Sequence, residues 1–546
     1  MQVDKDVYVP MRDGVSLAVD IYRPDELTRH AAILLVTPYQ KDAEFRMPLN
    51  SDGRPMQSLP LPPMPPGTNP MLLSVAPLVK AGFVVGVADA RGTGFSEGVY
   101  DYYNFECGPF DGYDLIEWLA AQPWCTGRVG MMGSSAAAIS CYIAALSKPP
   151  HLEAMAANMH PGDFYFDQWR IGGVFRWENR IGWSTGMHAR TSPIDPGPLD
   201  GPSYERKRAV YEDRFQQFGR RVAAGLNAAT LDWLTQMYGH DAYDELWKGR
   251  SFLRRIKEIE IPTLHGGVWF DHFIRGTITS HEALDAPKRL FVSPGSLATR
   301  TDLGDGGFGK IQIAWFDHFL RDADNGVLDE PPVRLYLMGR EEYVDEPAWP
   351  VPVTDTELFF GSGPSGSAVS LNDGSLGWEP PGGEEPEVLV HEPDAPNRTP
   401  ADVMDQRAFE AGCLTFTSEP VAEDLEVIGT PRVVVYASTD AVDVDWCVRL
   451  CDVDPSGRSK LLNTGALKGS HVHSHEAPSD LVPDEVYRFE IEIWPIANVF
   501  LRGHRVRLDL STSDFPFFES NPLPSRSQVL HDADHGSHLV LPVRTR

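Results

Sequence analysis

Two hydrophobic periods divide this chain. Up to about residue 150, short continuous apolar runs alternate with helix-spaced ones, the pattern of βαβ units around a mostly parallel sheet. Ala31–Thr37 (AAILLVT) and Phe83–Ala88 (FVVGVA) read as buried strands. Asp111–Gln122 (DGYDLIEWLAAQ) reads as an amphipathic helix with Tyr113, Ile116, Leu119 and Ala120 inward, stopped by Pro123. A further strand, Arg128–Met132, follows it. Between the first two strands, residues 50–71 are so rich in proline that they predict an irregular excursion, either a loop at the mouth of a site or an insert.

From 162 to 258 the pattern turns helical and aromatic (FYFDQWRIGGVFRWENRIGW, YERKRAVYEDRFQQF, LDWLTQMY), as a cap over a site would. Strand-like runs resume at Ile261–Gly266 and Arg289–Ser293, helix Ile311–Arg321 closes the module, and Val333–Met338 reads as a return strand. Beyond about residue 350 the period becomes two. Tyr487, Phe489, Ile491 and Ile493 alternate with charged residues, as do Val506, Leu508 and Leu510, which predicts an all-β sandwich or jelly roll. Residues 361–392, with GSGPSG and PPGGEEPE, predict a loosely ordered lead-in. The expectation is an α/β domain over 1–161 and 259–350, a helical cap over 162–258, and a jelly-roll domain over 351–546.

Composition narrows the function classes. The 546 residues exceed one ordinary core, and no apolar run approaches the roughly 20 residues that span a bilayer. With 77 acidic against 48 basic side chains the formal charge is −29, which opposes nucleic acid and anionic membranes and suits a solvated acidic surface. The N-terminus shows no basic segment followed by an apolar stretch, so a cytoplasmic location is expected. Six scattered cysteines without CxxC pairs suit reduced thiols rather than a zinc site or a disulfide framework.

The chemistry concentrates at residues 127–140, GRVGMMGSSAAAIS. A strand ends near Met132, Gly133 opens a turn, Ser135 sits at its apex and Ala136–Ala138 begin a small-residue helix, the arrangement that presents a nucleophilic hydroxyl in α/β-hydrolases. The second glycine of G-x-S-x-G is here Ala137, and a serine before an alanine-rich helix is also an ordinary N-cap. Elsewhere, HVHSHE at 471–476 would align His471, His473 and His475 on one face if it formed a strand; a polar loop without partner ligands is the favoured reading, and no metal is expected. GTGFSEG lacks the lysine of a phosphate loop.

Together these pieces resemble one family. VPMRDGVSLAVDIYRP near the N-terminus, TPYQK at 37–41, DARGTGFSEG at 89–98, DGYDLIEWLAAQPW at 111–124, GRVGMMGSS, VWFDHF at 268–273, WFDHFL at 315–320 and SDFPFF at 513–518 are similar, in order, to the cocaine-esterase and X-prolyl dipeptidyl-peptidase family. That family includes α-amino-acid ester hydrolases and glutaryl acylases. The resemblance implies an α/β-hydrolase domain, a helical cap and a C-terminal jelly roll, with no cofactor. It implies Ser135 as nucleophile, Asp271 as the acid of the triad, and Tyr39 with the N–H of Ala136 as oxyanion donors. Tyr39 also reads as an aromatic at a strand end, and Asp271 as a helix cap.

The same resemblance breaks at the base. Where the family carries G-P-W-[ST]-H, this chain reads SPGSLATR, so Leu297 occupies the histidine position. His160 and His272 are the candidate substitutes, with His265 less well placed. Three readings stand: a serine hydrolase acting on an ester or amide bond of a small acyl compound; a relative converted to acyl transfer, elimination or rearrangement; and a binding protein without turnover. Phe164, Tyr165, Trp169, Phe175 and Trp177 suggest an apolar or ring-bearing ligand and equally read as an ordinary cap core, and the cap and jelly-roll surfaces leave room for a homo-oligomer.

Overall fold

A computed structural model of the chain describes residues 1–25, 28–42, 70–101, 105, 108–191, 203–223, 232–295, 307–380, 382, 384–400 and 403–545. Its first sheet is built from β1 (Gln2–Pro10), β2 (Ser16–Arg23), β3 (His30–Thr37), β4 (Val84–Asp89), β5 (Cys125–Ser134) and β6 (Leu152–Asn158). A two-stranded pair, β7 (Arg170–Ile171) with β8 (Val174–Phe175), stands apart, and β9 (Thr263–Val268), β10 (Lys288–Ser293), β11 (Val333–Leu337) and β12 (Glu342–Glu346) complete the large sheet. Among the described residues up to 350 the α-helices are α1 (Pro70–Lys80), α2 (Gly108–Ala120), α3 (Ala136–Ala145), α4 (Trp177–Thr191), α5 (Tyr204–Ala223), α6 (Asp232–Gly239), α7 (Glu245–Gly249), α8 (Ile274–Ala283) and α9 (Phe308–Arg321).

The 10-stranded sheet runs β1-β2-β4-β3-β5-β6-β9-β10-β11-β12. From β4 through β11 every pairing is parallel, and only the outer pairs are antiparallel. The parallel strands are buried from both sides, so their sequences are continuous rather than alternating: Ala32, Ile33 and Leu34 of β3 and Val129 and Met131 of β5 are wholly buried. Because β3, β5, β6 and β9 are neighbours running the same way, the loops after them open on one edge. That edge is where α/β sheets bind ligands.

The small residues of α2 and α3 have a packing reason. A Cβ on Gly112 would lie 2.4 Å from the Ala144 methyl, so the two helices meet through Gly and Ala. Within α2, Leu115, Ile116, Leu119 and Ala120 are buried. The expected inward Tyr113 is instead half-buried, with the Arg12 guanidinium 5.0 Å from its ring. Most of residues 50–71 lie outside the described residues, and the last two open α1.

Among the described residues beyond 350, 13 strands form the C-terminal β-rich domain, almost all antiparallel, around a core that includes Trp446, Phe489, Ile491, Val506, Leu508 and Leu510. The loosely ordered lead-in expected at 361–392 is corrected by two strands within it. Gly374–Gly377 pairs with Val353–Gly361, and Glu387–His391 pairs with Ser525–Leu530. Glycine and proline counts missed them because tertiary pairing overrides local propensity. No helix among the described residues is long and apolar enough to cross a membrane.

Candidate active site

Strand β5 ends at Ser134, α3 begins at Ala136, and Ser135 alone makes the turn with φ 58° and ψ −124°. A non-glycine residue in this region stores roughly 1–3 kcal/mol of strain. The surroundings hold it there. The Ser135 N–H donates to the Asn158 carbonyl at the end of β6 (2.9 Å), and its own carbonyl accepts from Ala138 N. Gly133 is obligatory, since a Cβ there would sit 2.2 Å from the Ala137 carbonyl carbon. Ala136 occupies the first helical position, where a backbone N–H has no carbonyl one turn back to donate to.

Tyr39 follows β3, adjacent to β5, and its hydroxyl accepts a hydrogen bond from the Trp183 indole at 3.1 Å. Trp183 is half-buried on α4, and beside it Arg176, Arg180, Ser184 and Met187 are buried, from just before the helix into its third turn. Of the two readings of the cap aromatics, the burial matches the ordinary core. Phe164, Tyr165, Trp169 and Phe175 are fully buried core residues, and only Trp177 is partly exposed. Trp183 and the two arginines went unnoticed in the sequence, although their i, i+4, i+7 spacing is the signal that could have found them.

Asp271 is buried just beyond β9, and its N–H donates to the Val268 carbonyl. It is not a helix cap, because α8 starts three residues later behind Phe273. The next residue, His272, is clasped by Arg176, which donates to the His272 carbonyl (2.9 Å) and to the ring Nδ1 (3.2 Å). A guanidinium only donates, so Nδ1 is an acceptor and the neutral ring carries its proton on Nε2. Burial, reinforced by the charges of Arg176 and Arg180, lowers the His272 pKa to about 3.

His160, after β6, is wholly buried and also occupied at both nitrogens. Nδ1–H donates to the Pro161 carbonyl (3.2 Å), so Nε2 accepts from the Tyr142 hydroxyl (3.2 Å) of α3, whose oxygen in turn accepts from His265 Nδ1 (3.2 Å). The His281 ring meets His265 edge to face at 5.2 Å. The structure therefore joins His160 to a buried His–Tyr–His chain beneath α3. Leu297 lies outside the described residues.

These histidines make the fold acid-sensitive. Burial lowers His160 to about 4 and His281 to about 3, and pulls His265 well below the ordinary value of 6.5. The unfolded chain then binds more protons as pH falls from 6.5, so stability complete above that pH is lost on acidification. For His160 alone the loss reaches about 3 kcal/mol by pH 4. A melting temperature that falls steadily from pH 6.5 to 4 is expected; a flat profile would contradict it.

HVHSHE forms no strand. Gly469–His471 is a turn of 3₁₀ helix, and buried His471 reaches Asp241 before α7 (3.3 Å) and His475 (3.1 Å), tying the β-rich domain to the helical segment. Among the described residues no three His, Cys, Asp or Glu side chains are arranged to hold a metal ion. Cys125, Cys141, Cys413, Cys447 and Cys451 are free and buried, and Cys107 lies outside the described residues.

An α/β-hydrolase sheet followed by a β-rich domain defines the class. The family model described as X-Pro dipeptidyl-peptidase (S15 family) matches residues 13–296, and that of the X-Pro dipeptidyl-peptidase C-terminal non-catalytic domain matches 325–541. The chain belongs to this family of serine-type esterases and peptidases. It is 29% identical over 591 residues to cocaine esterase from Rhodococcus sp. (strain MB1 Bresler), covering 100% of this chain and 99% of that protein. Two solved structures share the fold. An aminopeptidase from a marine sediment Thaumarchaeota archaeon has a TM-score of 0.79 at 22% identity, and an α-amino acid ester hydrolase 0.77 at 22%; each comparison covers 100% of this chain and 96% of the other.

Proposed function

We propose that this chain is a serine-nucleophile enzyme acting on an ester or amide bond of a small acyl compound through a Ser nucleophile and an oxyanion hole, with the triad histidine lost. The observation that carries the reading is the strained backbone of Ser135 between β5 and α3 (φ 58°), held by Asn158 and Gly133. The Ser135 oxygen attacks the carbonyl carbon and the hydroxyl proton passes to water. The bond to the leaving group then breaks as that group takes a proton from solvent and departs as alcohol or amine, and a second water adds to the acyl-serine, releasing the acid and returning the proton to the Ser135 oxygen. Ala136 N–H and Tyr39 supply the oxyanion donors, and Asp271 is the acid. We read residues 1–161 and 259–350 as the hydrolase domain, 162–258 as its cap and 351–546 as the jelly roll.

One observation favours a second reading. The Nε2 lone pair of His160 is taken by the Tyr142 hydroxyl and the Nδ1 lone pair of His272 by Arg176, so neither ring has a free acceptor nitrogen for a general base to use. Acyl transfer, elimination or rearrangement in the same pocket, or binding without turnover, would tolerate this. A fluorophosphonate probe is expected to label the chain at Ser135, and Ser135→Ala to remove both label and burst release from an activated aryl ester. Product formation that survives Ser135→Ala would instead assign chemistry without a covalent step. Absence of labelling together with absence of product would leave the binding protein.

A further inference from the structure

The core of the β-rich domain holds a layer of charge that the serine chemistry does not use. On the adjacent strands Leu414–Ser418, Arg505–Ser511 and Asp445–Val453, Asp509 lies opposite Thr415 on one side and Arg449 on the other. Arg507 shares the face of Asp509, two residues earlier on the same strand. The short helix Arg407–Glu410 covers this face: Phe409 lies against the Arg449 guanidinium (4.0 Å to the ring), and Glu410 Oε2 accepts from Arg507 Nη1 at 2.8 Å. Glu410, Arg449, Arg507, Asp509 and Asp514 are all buried.

The charges in this layer do not balance. Three carboxyls, Glu410, Asp509 and Asp514, face two guanidiniums. Asp514 takes Arg449, whose Nη2 reaches both of its oxygens at 2.6 Å. Arg507 serves Glu410, the Thr417 hydroxyl (2.9 Å) and the carbonyl and hydroxyl of Ser367 (2.9 Å each). Asp509 forms no ion pair among the described residues; its Oδ2 meets the Cys451 thiol at 3.6 Å. The neighbouring thiols bring no charge, because burial holds Cys413 and Cys451 well above the ordinary thiol range. Arg407, at the start of the helix, is exposed and paired with Asp405.

Two oxygens remain without partners among the described residues, Asp509 Oδ1 and Glu410 Oε1, both buried. Leaving two carboxylates ionised beside one guanidinium and away from water is costly, and one hydrogen held between them removes both the repulsion and the two orphaned acceptors. Burial, and after it the charge of Glu410, pushes Asp509 up to about 8 against the pull of Arg507 and Arg449.

We propose that Asp509 is carried as the neutral acid and donates its proton to Glu410, and that this shared proton is a pH-sensitive latch closing the 407–413 segment on the β-rich domain. Cys413 reports the latch. Its N–H donates to the Glu410 carbonyl (2.9 Å) and its thiol to the Phe409 carbonyl (3.3 Å), so release of the helix uncovers the sulfur. Once the segment opens, Asp509 returns to the ordinary 3.8 and ionises. Each unit of pH from there to about 8 therefore favours the open form about tenfold, and above 8 the gain stops because the closed form ionises too. The buried histidines act with the opposite sign, but their effect is complete above pH 6.5, which leaves the window from 6.5 to 8 to this proton. The latch stands apart from the serine reading.

Pulsed alkylation with iodoacetamide, read at Cys413 by mass spectrometry, tests it on the full chain. Asp509→Asn keeps a neutral donor to Glu410 and the same thiol, so the native-to-variant labelling ratio isolates the carboxyl. That ratio is expected to rise about 10- to 30-fold from pH 6.5 to 8, while Cys141 of the hydrolase domain labels alike in both chains. A ratio that stays constant with pH would overturn the proposal, as would an Asp509→Asn chain that melts well below the parent at pH 7, since Asp509 would then be needed as an anion. The native chain alone supplies a second readout: an infrared band of a neutral carboxylic acid should persist at pH 7 and fade by pH 9. Absence of that band at pH 7 would refute the shared proton even if the variant failed to fold.

Discussion

Leu297→His is expected to raise kcat/KM for an activated aryl ester by about 10²- to 10⁴-fold, the range a positioned general base contributes. Everything else that such a base serves is proposed to be present. Ser135 is held at the apex of its turn, Tyr39 lies at the end of the adjacent strand, and Asp271 sits beyond β9. What the chain lacks is a titratable group at position 297, where the family resemblance puts histidine. The pH profile offers an independent reading. Without a base, proton removal from the serine depends on solvent, so log kcat/KM should climb with pH and show no inflection near neutrality. In Leu297→His a sigmoid with an apparent pKa between about 6 and 7 should replace the climb. Ser135→Ala in that background should abolish the gain. An inflection near neutrality in the native chain would mean that another group already serves as base. A folded Leu297→His chain with no gain would sink the idea that only the base is missing.

The fold was legible because each period reports a packing surface. Continuous runs at 31–37 and 128–132 mark strands covered on both faces, and the observed β3 and β5 extend those limits by only a few residues. GMMGSS was legible for a local reason: a glycine is required where a Cβ would strike Ala137. The missed features are long-range. Arg176 and Arg180 look like the solvated face of an amphipathic helix until His272, Trp494 and Phe517 meet the first and Trp169 and Trp183 the second. Nothing local distinguishes a buried arginine from an exposed one. The histidines erred in the opposite direction: His160 and His272 sit in the loops expected of a base, but their tautomers are set by Pro161, Tyr142 and Arg176, partners that sequence spacing does not reveal. Strands at 374–377 and 387–391 were hidden because their glycine-rich sequence is ordered by pairing with strands that come from elsewhere in the domain.

Lys41→Met is expected to destabilise the hydrolase domain by about 3–5 kcal/mol, the range for breaking a buried ionic cluster from one side. The Lys41 ammonium is wholly buried and meets three carboxylates, Asp6 at 2.7 Å, Asp42 at 2.6 Å and Asp20 at 2.9 Å. Its backbone N–H donates to Asp89 at 2.6 Å. Burial opposes its charge, yet Asp89, Asp20 and Asp42 more than compensate and the net pKa shift is upward. The cluster balances: Asp6, Asp20, Asp42 and Asp89 face Lys5, Lys41, Lys207 and Arg214. Methionine fills the volume but leaves one excess negative charge among buried carboxylates. Burial raises Asp89 to about 6 even with Lys41 present, so removal of the ammonium should make this carboxyl still easier to protonate. The deficit of the variant should therefore be larger at pH 8 than at pH 5.5, and a melting temperature about 5–10 °C below the parent is expected at the higher pH. Two of the four cations, Lys207 and Arg214, come from α5, so the cluster also fastens the helical segment to the sheet edge beside Tyr39. Limited proteolysis of Lys41→Met should accordingly cut first within 203–223, before the β-rich domain is touched. Cleavage and melting unchanged from the parent would show that the cluster is energetically neutral and that α5 is held by its apolar contacts alone.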